Sequence, residues 1–234
     1  MQKQGSRIQG VAMVGASAMV VLCTAGSAGA ATPGVYIAGQ FGQSTSNSDS
    51  WTAVRMGQIM GNAWAGSQNI LAWSEGETDK TDQGFEISVG YQFSPNLAIE
   101  GAYIDLGNFS YDSPLEVSDD GTVFLDARSA ISGRRRGPAL SLVSTWPAAG
   151  SVWLDARAGA FFGRSVAKVS FGLEGESPSH AKFTDRKTAI FVGAGLNWSF
   201  LEKASIRLGY SRFGKDAMIY HEVDRISLGV RVSL

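Results

Sequence analysis

The stretch Ile226-Ser-Leu-Gly-Val-Arg-Val-Ser-Leu234 alternates without a break between apolar side chains and small, polar or charged ones. Successive side chains of a β-strand point to opposite faces, so this period of two predicts a strand with one wholly apolar face. Serine, glycine and arginine occupy the other face. This division is typical of a strand with hydrocarbon on one side and a packed polar interior on the other.

The same alternation recurs upstream in three other segments, 85–93, 152–162 and 188–200. In the first, Phe85, Ile87 and Val89 alternate with Glu86 and Ser88. A period of two argues against helices in all of these places.

The composition fits one all-β domain. The chain has 234 residues, of which 29 are glycine, 18% are charged and 44% are hydrophobic, so it is neither disordered nor unusually polar. Its mean hydropathy is near zero. This value does not indicate a soluble protein, because the hydropathies of the apolar outer face and the polar inner face of a membrane barrel average out. The formal net charge of −1 argues against a nucleic-acid partner.

The N-terminus has the pattern of an export signal. Lys3 and Arg7 precede an apolar run over 11–22, and Ala28-Gly-Ala30 supplies the small residues of a cleavage site. The run is shorter than the roughly 20 residues of a spanning helix, which argues against an anchor. We expect a signal peptide over 1–30 and a barrel domain over 31–234. Cleavage would remove the only cysteine, Cys23, so no disulfide is expected.

Eight strands are expected after the signal, most with the roughly 9 to 11 residues that cross a bilayer at a tilt. Their connections alternate between three tight turns and four longer polar links. Short periplasmic turns and long external loops are the pattern of an antiparallel, up-and-down outer-membrane β-barrel. The strands are 34–44, 84–93, 97–106, 137–146, 151–163, 187–200, 204–213 and 224–234, and the long loops are 45–83, 107–136, 164–186 and 214–223.

A family resemblance follows from the segment Gly90-Tyr-Gln-Phe-Ser-Pro-Asn-Leu-Ala-Ile-Glu-Gly-Ala-Tyr-Ile-Asp-Leu-Gly107. It resembles the second and third strands of OmpA-like outer-membrane barrels, in the glycine-tyrosine strand, the Ser-Pro-Asn turn and the Tyr-x-Asp-Leu-Gly ending. The resemblance covers 34–234. It implies an eight-stranded porin-family barrel without a peptidoglycan-binding domain, and a C-terminal strand that the barrel-insertion machinery recognises.

Parity along the strands predicts which polar side chains point into the barrel. An eight-stranded barrel is just wide enough to be filled by its own side chains, and buried charges need partners. We expect three acids to pair with three arginines, with Arg207 and Glu100 as one pair; structural filling and a gate for a narrow ion path both remain open. The predicted interior is Gln40, Glu86, Gln92, Glu100, Asp155, Arg157, Asn197, Arg207 and Arg231, of which Glu86, Glu100, Asp155, Arg157, Arg207 and Arg231 form the charged network.

Basic residues gather at the loop ends of the strands. They are expected to form a collar at the outer interface, where the phosphates of lipopolysaccharide lie and where paired arginine contacts are strong; a merely solvated rim is the alternative. The expected collar is Arg134, Arg135, Arg136, Arg164, Lys168, Arg186, Lys187, Arg212, Lys215 and Arg225.

Loop 45–83 is long for a segment without strand signals, and it carries many apolar side chains. It is expected to pack on the other loops, with membrane or partner contact as alternatives. The external ligand is unknown from sequence.

Catalysis has little support in the sequence. The histidines His180 and His221 adjoin Ser179 and Glu222, but neither has a recognised nucleophile context. No catalytic, metal or cofactor site is expected. The sequence therefore favours a non-enzymatic barrel of the Gram-negative outer membrane with a structural and surface-interaction role, in contact with lipid and lipopolysaccharide. A narrow gated channel and a lipid A or phospholipid-modifying enzyme are the alternatives.

Overall fold

The computed structural model describes residues 33–47, 69–73, 77–119, 123–173, 177–214 and 222–234. The expected signal peptide lies outside these residues. In the described part of the chain, no helix is long and apolar enough to cross a membrane, a finding that does not bear on crossing by strands.

Eight long antiparallel strands form a closed ring, and two short strands pair with its outer part. Pairing between the first and last strands and between β5 and β6 leaves the ring without a free edge, so the backbone groups are satisfied within it. The described strands are β1 (Gly34–Ser46), β2 (Asn69–Trp73), β3 (Glu77–Asp79), β4 (Thr81–Ser94), β5 (Leu97–Asp119), β6 (Val123–Ala149), β7 (Val152–Leu173), β8 (Ser179–Ser199), β9 (Ala204–Phe213) and β10 (Val223–Ser233).

The ring confirms the eight-stranded antiparallel barrel that the alternation predicted. Around it the order is β5-β4-β1-β10-β9-β8-β7-β6, so each strand pairs with its neighbours in sequence, apart from β2 and β3. The outward positions carry large exposed apolar side chains, among them Phe41 at 77%, Ile190 at 74% and Leu228 at 59% exposure. This apolar outer band is the surface that a barrel presents to hydrocarbon.

Four strands run far beyond the ends expected from sequence. Segments 107–136 and 164–186 were predicted as loops, but most of both is strand. β5 pairs with β6 as far as Asp119 and Val123, and β7 pairs with β8 as far as Phe171 and Ser179. In these outer parts the outward face meets water, and apolar side chains such as Ile131 and Val169 are buried on the inner face. The apolar outer face that marks a spanning strand is therefore absent there.

Loop 45–83 is also partly strand, contrary to expectation. β2 and β3 pair with the outer half of β5, so the described part of the loop adds to the same sheet. Residues 48–68 and 74–76 lie outside the described residues, as do the tips of the other three external connections at 120–122, 174–176 and 215–221.

A β-bulge in β5 reverses the parity of that strand. The register shifts between Asp105 and Asn108, and Gly107 has a φ of 87°, a conformation that glycine adopts without steric cost. The Asp105 carboxylate accepts the Gly107 N–H at 3.0 Å. An extra residue on one strand re-aims the side chains that follow it, so odd-numbered Phe109 and Tyr111 are buried beyond the bulge.

Candidate functional site in the barrel interior and at the outer rim

Glu86 is the centre of the first charge cluster inside the barrel. Arg157 donates to its two carboxylate oxygens at 2.6 and 3.2 Å, and Arg225 donates to one of them at 2.5 Å. All three side chains are almost completely buried. Arg157 also donates to the Ser211 hydroxyl at 2.6 Å. These contacts tie β4 to β7, β9 and β10 across the interior.

Arg207 joins the other two acids of the predicted network, Asp155 and Glu100. Its guanidinium lies 2.8 Å from an Asp155 oxygen and 3.5 Å from a Glu100 oxygen, so Asp155 is closer than the partner expected from sequence. Asn197 donates to Asp155, and the Tyr36 hydroxyl donates to Glu100 at 3.0 Å. The arginine is therefore shared between two carboxylates.

Among the described residues, Arg231 has no carboxylate partner, contrary to expectation. It donates to the Gln92 side-chain oxygen at 2.8 Å, and its guanidinium carbon lies 3.6 Å from the centroid of the Tyr36 ring. The ring face attracts the cation. The expected three-to-three pairing of acids with Arg157, Arg207 and Arg231 is wrong at this position. The third arginine on the three acids is Arg225, which contacts Glu86.

Two arginines assigned to the outer collar lie inside the barrel instead. Arg135 and Arg225 are fully buried. Arg225 shares the odd parity of Ser227 and Arg231 on β10, and Arg135 lies between the outward Arg134 and Arg136. The alternation itself contained this signal, because Arg225 lies within the expected strand 224–234, and extending the expected strand 137–146 by two residues would have placed Arg135.

An aromatic layer closes the interior on the side of the long connections. Phe191 stacks on Phe213 with centroids 5.1 Å apart, and Phe161 meets Phe213 edge-on at 5.5 Å. All three are at most 1% exposed. The Arg135 guanidinium lies 5.1 Å from the Phe161 centroid. Charged pairs and a stacked aromatic layer thus fill successive levels of the barrel.

The remaining collar residues lie at the outer rim. Arg134 binds Asp105 through two nitrogens at 3.0 and 2.5 Å, Arg212 pairs with Glu222, and Lys187 lies 3.5 Å from Asp185. Lys215 lies outside the described residues. The other members, Arg136, Arg164, Lys168 and Arg186, are exposed.

The residues weighed for catalysis do not form a cluster in the described chain. Ser179 and His180 are exposed at the start of β8, and His221 lies outside the described residues. Among the described residues, no group of three His, Cys, Asp or Glu side chains is placed to hold a metal ion.

The described structure has a closed ring of eight strands, an apolar outer band and a filled polar interior. The sequence gives an independent family match. The model of the OmpA-like transmembrane domain matches residues 35–230. The chain belongs to the OmpA-like transmembrane domain family. It is an outer-membrane β-barrel whose apolar band contacts lipid, as the resemblance of 90–107 implied.

Solved structures similar to this OmpA-like chain include three bacterial outer-membrane proteins. Among curated proteins no match is found. Neisserial surface protein A is 16% identical, the match covers 86% of this chain and 97% of that chain, and the TM-score is 0.44. The attachment invasion locus protein Ail of Yersinia pestis is 17% identical, with 87% of this chain and 100% of that chain covered and a TM-score of 0.40. OprG of Pseudomonas aeruginosa is 12% identical, with 86% of this chain and 97% of that chain covered and a TM-score of 0.42.

Proposed function

We propose that this protein is a closed, non-catalytic barrel that carries a rigid sheet above the outer membrane for surface contacts. The extension of β5 to β8 beyond the apolar band supports this role most directly. A backbone ladder holds these strands together, and on it Arg128 donates to both oxygens of Asp112 at 2.8 and 2.7 Å. Those contacts raise the pKa of the exposed Arg128 guanidinium above its ordinary value. A paired sheet offers a partner an ordered surface, which lowers the entropic cost of binding.

The outer collar complements this proposal. Exposed basic side chains beside the apolar band suit lipopolysaccharide phosphates, since arginine binds phosphate oxygens through paired N–H groups. With Arg135 and Arg225 inside the barrel, the proposed collar is Arg134, Arg136, Arg164, Lys168, Arg186, Lys187, Arg212 and Lys215.

The proposal includes the export route. Residues 1–30 act as a cleaved signal peptide, and the insertion machinery recognises β10 through its alternating apolar face. With this orientation the tight turns face the periplasm, and the extended sheet faces the cell exterior.

Cysteine labelling on intact cells tests this orientation. After signal cleavage the chain has no cysteine, since Cys23 is the only one. Thr184→Cys, exposed on the extended part of β8, is expected to react with a membrane-impermeant maleimide on intact cells. Glu202→Cys, exposed in the turn between β8 and β9, is expected to react only after the outer membrane is permeabilised. The reverse pattern would refute the orientation and with it the surface role.

Planar-bilayer recording tests the proposal that the barrel is closed. The purified protein is expected to give no stable conductance steps, because the buried charge pairs and the layer of Phe161, Phe191 and Phe213 fill the interior. A trimeric porin in the same bilayer is the positive control. Reproducible unitary steps from this protein would favour the channel alternative.

A further inference from the structure

Three arginines stand in direct register on the outer face of the barrel. Arg136 on β6 is the Cα partner of Arg164 on β7, and Arg164 is the Cα partner of Arg186 on β8. All three are exposed. Neighbouring strands are about 4.8 Å apart, so the row spans roughly 10 Å.

Among the described residues, no carboxylate on the outer face is paired with this row. The even-numbered positions of 130–140, 162–170 and 180–190, which share its face, include no Asp or Glu. Asp105 lies opposite Arg136, but its carboxylate is bound to Arg134. Within the described chain, none of the three arginines forms an ion pair. Like charges directly opposite each other destabilise a sheet, so an external anion would relieve the repulsion.

A groove of about 460 Å³ lies along the row and has an apolar side. Arg136, Arg164 and Arg186 line it together with Tyr103, Pro138 and Phe162. Tyr103 and Phe162 are 43% and 48% exposed and lie nearer the membrane-spanning part of their strands than the arginines. Aromatic side chains in this position are typical of the level where hydrocarbon gives way to headgroups. The groove therefore suits a molecule that is anionic at one end and apolar at the other.

We propose that this groove binds a phosphorylated headgroup of lipid A, the lipid anchor of lipopolysaccharide. Arg136, Arg164 and Arg186 share the phosphate, and the adjoining acyl region packs against Tyr103 and Phe162. Guanidinium forks match phosphate oxygens in pairs, and a phosphomonoester carries a charge between about −1.5 and −2 at neutral pH. The assignment rests on the proposed orientation, which places this rim in the outer leaflet, and it identifies one specific site within the collar.

The test compares an Arg136→Gln/Arg164→Gln variant with the parent, both refolded as the full barrel in zwitterionic detergent. Without lipid A, the variant is expected to have a Tm equal to or above that of the parent, because repulsion within the row is reduced. Titration with lipid A is expected to raise the Tm of the parent. The variant is expected to need at least about tenfold more lipid A for half of that rise, since it lacks charge-assisted hydrogen bonds.

A control variant, Arg128→Gln/Lys203→Gln, removes the same charge at two exposed sites that lie outside the proposed collar. It is expected to respond to lipid A as the parent does. A variant of the row that responds like this control overturns the proposal while leaving the wider collar intact, whereas a parent that lipid A does not stabilise overturns the collar itself. Dephosphorylated lipid A is expected to have little effect. Equal stabilisation by dephosphorylated lipid A or by inorganic phosphate alone overturns the assignment to a phosphorylated lipid.

Discussion

Leu228→Arg is expected to prevent stable insertion of the barrel into the outer membrane. Leu228 lies in the middle of β10 and points outward at 59% exposure, between Phe41 on β1 and Leu208 on β9, which are also exposed. A lipid-facing arginine near the bilayer midplane costs about 2 to 4 kcal/mol. That cost is a large fraction of the net stability of a typical domain. The measurement is the amount of protein in the outer-membrane fraction that migrates as a folded, heat-modifiable band.

Thr184→Arg is the matched control for this substitution. It introduces the same side chain at an exposed site on β8 that lies beyond the apolar band, so it is expected to leave the folded yield unchanged. Equal yields for Leu228→Arg, Thr184→Arg and the parent would mean that the outer face of β10 does not meet hydrocarbon.

Glu86→Gln is expected to cause the largest loss of stability among interior substitutions. The change leaves Arg157 and Arg225 without the carboxylate that both now contact, at 2.6 and 2.5 Å. Removing one member of a buried ion pair typically costs about 3 to 5 kcal/mol, because the remaining charge stays buried without compensation. The measurement is the free energy of unfolding from urea titration in detergent or in lipid vesicles.

A second variant distinguishes loss of the ion pair from loss of packing. Glu86→Gln/Arg225→Met removes one of the stranded cations, so it is expected to recover part of the lost stability, and the double-mutant cycle measures the coupling. Asp112→Asn breaks a similarly close but exposed pair with Arg128, and such pairs contribute little. If Glu86→Gln were no more destabilising than Asp112→Asn, the buried network would not stabilise the barrel.

The sequence by itself determined the barrel, its eight spanning strands and most of the polar residues that face inward. Side-chain direction along a strand is a local property with a period of two, and contact with lipid forces one face to be apolar. The alternation of 226–234 therefore appears in the structure as an outward apolar face and a buried or half-buried polar one. Parity likewise assigned Glu86, Glu100 and Asp155 to the interior without any knowledge of their partners.

Tertiary structure decided what parity cannot encode. The partners Glu86 and Arg157 lie on β4 and β7 and meet only across the closed barrel, so their pairing depends on the ring's closure and on the depth of each residue within it. The bulge at Gly107 reverses the faces of β5, and the outer parts of β5, β6 and β7 have a water-facing outer side and a buried inner side. Where water replaces lipid, the outward face becomes polar and apolar side chains such as Phe109, Ile131 and Val169 are buried on the inner face. The sequence there lacks the apolar outer face by which the spanning strands were recognised, so the ends of these strands were missed.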